Sequence, residues 1–160
     1  MIKFVRTTLI FTAGAIAGLL MAAFAAQTLL IEEVASAYGV DETVERLTEA
    51  AQAEGWVVAG VRKLDENVAR NGGPQLRPVR LVELCEPHYA GALLQDDRGG
   101  RLSAMMPCTI SVYEKSDGRA HVAAVNVALL GRLFGGATAK VLSGEVAPDQ
   151  ARMIDAIRGA

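Results

Sequence analysis

The sequence predicts an α+β domain preceded by one N-terminal transmembrane helix, and three observations lead there. After Lys3 and Arg6, the stretch from Thr7 to Ile31 carries no charge. Beyond it, helical and strand-like apolar patterns follow one another in the order helix, strand, short helix, strand, helix, hairpin, helix, helix, which places helices on the face of a sheet. The segment from Glu32 to Ala160, roughly 130 residues, is long enough to bury one core without disulfide or metal staples.

As a helix, Thr7 to Ile31 would extend roughly 37 Å against a hydrocarbon core of ~30 Å, enough to cross a bilayer with tilt. A cleaved signal peptide is the competing interpretation, because Lys3 and Arg6 form a positive n-region and Ala23-Phe24-Ala25 offers a small-x-small cleavage site. The apolar run continues past that site through Leu29, Leu30 and Ile31, which favours a retained anchor. Basic residues before the span, with Glu32 and Glu33 after it, predict a cytoplasmic N-terminus and a domain on the extracytoplasmic, periplasmic side. The membrane, through residues 7–31, is thus one expected partner. Gly14 and Gly18, with Ala22 a turn further, make a small-xxx-small face suited to helix pairing, although such residues are common in spans that do not pair. The chain divides into an anchor or signal peptide over 1–34 and an exported domain over 35–160.

Val34 to Val40 reads as a short connector. Asp41 as N-cap, Glu42 and Glu45 near the positive helix end, and Val44, Leu47, Ala50, Ala51 and Ala53 on one face predict a helix that Gly55 stops. Trp56 to Val61 reads as a buried strand, and Leu64 to Arg70 as a short helix closed by the turn Asn71-Gly72-Gly73-Pro74. Val79, Leu81, Glu83 and Cys85 then alternate with Arg80, Val82 and Leu84 in a second strand. Pro87 suits the first position of a helix capped by Glu86 and carrying Tyr89, Leu93 and Leu94, which Asp96-Asp97 and Gly99-Gly100 break. Pro107 opens a strand from Cys108 to Glu114, Asp117-Gly118 marks a hairpin, and the chain returns from His121 to Asn126. Two helices finish it, Val127 to Phe134 ahead of Gly135-Gly136, and Pro148 to Ile157.

Composition narrows the function classes. Sixteen Lys and Arg against eighteen Asp and Glu leave no basic surplus for a phosphate backbone, so no nucleic acid partner is expected. Two cysteines are too few for a disulfide scaffold, a four-ligand zinc site or an iron-sulfur cluster. Gly131 and Gly136 have the spacing of a P-loop's glycines, but Ala137 stands where Lys is needed, and the run reads as a helix C-cap.

Three stretches carry a family likeness: Glu83-Leu84-Cys85-Glu86-Pro87; Met105-Met106-Pro107-Cys108 followed by Ile110; and Asn126 with Leu129, Gly131, Phe134, Gly135 and Gly136. In order and spacing they resemble the signature of the domain of unknown function 302 (DUF302) family, over about Tyr38 to Ile157. The resemblance implies an α+β fold with a curved antiparallel sheet, a tendency to form a homodimer, and no established activity. Glu86 departs from it, since relatives more often carry Asn there.

The residues themselves point to a cleft. Cys85, at a strand end before a helix start, sits where the helix N-terminus favours a thiolate, or else it is a small hydrophobe closing a strand. Cys108 and Met106 flank Pro107, and with Cys85 they make a soft ligand set that suits a metal such as copper(I), with Met105 close by in sequence. A disulfide between the cysteines or simple core packing are the bland alternatives. Glu83, an acid on the face shared by Val79, Leu81 and Cys85, needs a partner such as Arg or a bound ligand. Asn126 either caps the next helix or points into the cleft. The expected function is binding of a small ligand or soft metal at Cys85, Cys108, Met106, Glu83 and Asn126. The alternative is a non-catalytic accessory module of a membrane complex with structural cysteines. His88 and His121 supply no convincing triad for cysteine catalysis, so no catalytic residue is assigned.

Overall fold

The computed structural model describes residue 18, residues 29–95 and residues 97–159. The remainder of the expected membrane span before residue 29, with Gly14 and Ala22, lies outside them, as does Asp96. Among the described residues no helix is long and apolar enough to cross a membrane.

Five strands, β1 (Ile31–Ala35), β2 (Val57–Lys63), β3 (Val79–Cys85), β4 (Cys108–Glu114) and β5 (Ala120–Val125), form one antiparallel sheet in the order β1-β5-β4-β3-β2. Helices α1 (Val40–Ala53), α2 (Leu64–Arg70), α3 (Pro87–Leu93) and the single turn α4 (Asp97–Gly100) alternate with them. A 3-10 segment over Arg101–Met105 precedes β4. After β5 come α5 (Val127–Phe134), α6 (Gly136–Val141), a π segment (Leu142–Val146) and α7 (Ala147–Asp155). The α+β expectation holds, with helices packed on an antiparallel sheet.

Strand alternation decides which face is covered. In β3 the side chains of Arg80, Val82 and Leu84 are buried and those between them are half-buried, as strict period-two patterning requires. The register carries this face across β4 through Ile110 and Val112 and across β5 through Val122 and Ala124. Leu47 and Ala51 of α1, Met153 and Ile154 of α7, and Ile157 close the core above it. Each such aliphatic side chain contributes roughly 1.5–3 kcal/mol on burial.

Caps and glycines set the helix geometry. The Glu86 carboxylate accepts the Tyr89 N–H at 2.6 Å with Pro87 in the first turn, and Asn126 Oδ1 accepts the Leu129 N–H at 2.8 Å. Gly135 closes α5 at φ +69°. Gly131 serves packing: a Cβ there would meet Ser143 Oγ at 2.3 Å and Leu142 Cβ at 3.0 Å, so only a glycine lets α5 lie against the π segment.

Three expectations change. Ile31–Ala35, where the sequence pattern suggests the close of the apolar segment and a connector, is a strand straddling residues 34 and 35, because its backbone pairs with the edge of β5. The pattern at Trp56 to Val61 suggests a buried strand, yet β2 is an edge strand with Val57 and Val61 at 51% and 41% exposure. Gly39, not Asp41, is the N-cap of α1, and no side chain caps it; Thr43 Oγ1 instead donates to the Gly39 carbonyl at 2.7 Å.

Candidate functional site

The chain brings Cys85 and Cys108 to the same end of the sheet. Antiparallel pairing sets Cys108, the first residue of β4, opposite Leu84, so Cys85 lies one register step beyond it on β3. Both cysteines are free and half-buried. Beside them is a cavity of about 420 Å³. Leu84, Ile110 and Val125 of the strands line it, Tyr89, Ala90 and Leu93 come from α3, and Leu102, Met105 and Met106 from the segment before β4. Val127 and Leu130 of α5 and Met153 of α7 complete the apolar wall.

Polar groups at the wall are mostly engaged with one another. Trp56, at the start of β2, donates Nε1–H to Asp149 Oδ2 at 2.9 Å and meets the Tyr89 ring edge-on at 5.9 Å between centroids. Arg152 pairs with Asp149 and donates from Nε to Glu54 at 2.8 Å. Gln150 Nε2 donates to the Val125 carbonyl at 3.1 Å. Glu83, the acid whose position demands a partner, has one: Arg62 of β2 forms an ion pair with it at the cavity rim. What faces the interior is therefore apolar surface, thiols and thioethers.

Electrostatics follow the same division. Burial pushes the Cys108 thiol up from its ordinary value, and the neighbouring Cys85 adds to the shift. Burial likewise raises the Tyr89 phenol, with Asp149 and Glu145 adding to it. A thiol held protonated is a weak nucleophile and a poor metal ligand until it deprotonates. Among the described residues no group of three or more His, Cys, Asp or Glu side chains is placed to hold a metal ion.

The structure thus places Cys85, Cys108, Met106 and Glu83 around one cavity, with Met105 beside them. Asn126 is not among the lining residues; its side chain is taken up capping α5. His88 is exposed on α3 outside the lining, and His121 sits on β5 beside Glu33. Sequence patterning passed over Trp56, Tyr89 and Arg62 as site residues. The one available signal was that Trp56 is the sole tryptophan of the chain.

The family model described as domain of unknown function DUF302 matches residues 32–157. Among solved structures, the crystal structure of a conserved DUF302 protein from Bacillus stearothermophilus is similar at a TM-score of 0.71 and 22% identity. The alignment covers 82% of this chain and 100% of that one. At that identity the likeness speaks for the fold alone. No curated protein matches the chain.

Proposed function

The chain belongs to the DUF302 family, and from that premise we propose that it is a membrane-anchored extracytoplasmic domain that binds a small apolar molecule at the end of its sheet. The observation that carries the binding reading is the 420 Å³ cavity, which falls within the ~300–1,000 Å³ typical of small-molecule sites. Its polar wall groups already have partners, so a neutral occupant leaves no hydrogen bond broken on entry. A soft cation is the poorer occupant. It would have to draw a proton from Cys108, whose burial favours the thiol, with Met106 as a weak third ligand. The uncharged run from Thr7 to Ile31 supports the anchor, and the basic residues before it support the orientation.

Trp56, 5% exposed and lining the cavity, is a built-in reporter. The test uses the full chain in bilayer nanodiscs, titrated with the neutral fluorophore N-phenyl-1-naphthylamine. Energy transfer from Trp56 should saturate, and Ala90→Phe, which fills the cavity from α3, should leave only the unsaturable transfer from probe dissolved in lipid. Equal, linear transfer in both proteins defeats the apolar-ligand reading. So does binding of one copper(I) per chain that disappears in Cys108→Ala, which would make the thiols a metal site.

A further inference from the structure

At the cavity end of the sheet the surface is apolar where the chain enters the domain. Leu29, Leu30 and Ile31 are 56%, 38% and 48% exposed, and Leu133 and Phe134 at the end of α5 are 69% and 55% exposed. Backbone joins the two groups: the Asn126 N–H donates to the Leu30 carbonyl at 2.9 Å, and Asn126 caps α5, whose length is only ~12 Å. Single exposed apolar side chains are ordinary on a surface. Here Leu133 and Phe134 lie one short helix away from Leu29–Ile31, and Leu29–Ile31 continue residues 7–28, which carry no charge.

Charge adds an independent observation. From Ala120 to Gly144 the sequence contains Arg132 and Lys140 and no acidic residue, although the chain as a whole has a net charge of -2. Both cations are exposed. A symmetric contact with a second copy would bring Arg132 and Lys140 against their own likes, whereas an anionic bilayer meets them with opposite charge; the flanking acids are Glu32, next to Ile31, and Glu145.

We infer that this end of the domain docks on a lipid bilayer, with Leu133 and Phe134 entering the interfacial region and Arg132 and Lys140 meeting anionic headgroups. The inference rests on the anchor reading above and adds that the domain lies on the membrane instead of standing off it. Docking also turns the Val127 and Leu130 face of α5, which lines the cavity, into a wall shared with the docked helix, so an apolar ligand has a short route between lipid and cavity.

The test uses the full chain in nanodiscs of phosphatidylcholine and phosphatidylglycerol whose acyl chains are brominated near the glycerol. Phe134→Trp adds emission to that of the interior Trp56. Bromine should remove most of the added emission while leaving that of the parent protein largely intact, and Arg132→Glu with Lys140→Glu should restore it. Protein that migrates with the discs but whose added emission ignores bromine overturns docking and leaves the anchor standing. Added emission that is blue-shifted yet insensitive to bromine overturns it too, since protein then covers the patch. Protein that fails to migrate with the discs overturns the anchor, and docking with it.

Discussion

The two ends of the sheet are built from opposite materials. At the hairpin end, Arg80 of β3 donates to Asp65 of α2 at 2.5 Å with both side chains buried, and Lys115, Tyr113 and His121 converge on Glu33 of β1. At the cavity end, Cys85, Cys108 and Met106 face space, and Leu29–Ile31, Leu133 and Phe134 face outward. One end pairs its charges internally and so ties the strands together, although Arg80 Nε and both His121 ring nitrogens are buried there without a hydrogen bond. The other exposes apolar side chains and encloses the cavity, an arrangement that forgoes packing contacts. Substitutions at the two ends should therefore read out differently.

The largest effect is expected from Asp65→Ala. Burial opposes the Asp65 charge, but the Val79 N–H and the Arg80 guanidinium hold its carboxyl below the ordinary value. Removing it leaves the buried Arg80 with only the exposed Asp41 carboxylate, 3.7 Å from its Nε, as counter-charge, and breaking a buried pair costs up to about 3–5 kcal/mol. Thermal unfolding followed by circular dichroism should show the loss, while probe binding well below the transition stays intact. If probe binding fails first, the two ends are not separable.

Next comes removal of β1. A chain beginning at Ala35 loses the pairing of Ile31 to Val34 with β5 and the contacts of Glu33. From cross-strand pair values it should be less stable than a chain beginning at Leu29 by about 1–4 kcal/mol. Equal unfolding midpoints in denaturant would mean that β1 only decorates the edge. Cys108→Ala, at the cavity end, should cost less, about 1 kcal/mol or below for one small half-buried group. Because both thiols are free, reductant should leave the melting curve of the parent protein unchanged; a shift would reveal a staple.

The sequence made the middle of the fold legible and left its edges obscure. Alternation from Val79 to Cys85, Pro107 before Cys108, and Asp117-Gly118 define β3, β4 and their hairpin partner, because period, cap and turn chemistry are local. β1 was not readable from Ile31-Glu32-Glu33-Val34: an apolar run followed by two acids looks like the end of a membrane span, and only pairing with β5 makes it a strand. β2 failed in the opposite way, since its valines suggest burial and its edge position exposes them. The site was half legible. Cys85, Cys108 and Met106 stand beside motif prolines, whereas Trp56, Tyr89 and Arg62 reach the cavity through tertiary contacts that no spacing encodes.

The smallest effect tests the hairpin end by pH. Hydrogen bonds from Lys115 and then Tyr113 hold the Glu33 carboxyl below its ordinary value, and the Tyr113 phenol, pushed up to about 12 by burial and by Glu33, stays a neutral donor. His121 Nδ1 approaches Glu33 to 3.2 Å without hydrogen-bond alignment. A carboxyl whose folded value is depressed stabilises fully above its unfolded value, 4.5 here, and that contribution fades as pH falls through the lower folded value. Glu33 is 40% exposed, so solvent screening limits the effect to below about 1 kcal/mol. Glu33→Gln should thus melt slightly below the parent protein at neutral pH. The gap should narrow with added salt and close under acid conditions that protonate the carboxyl in both states. A gap that persists in acid would assign the Glu33 contribution to the packing of β1, and the contrast between a charge-built end and an apolar end would lose its clearest case.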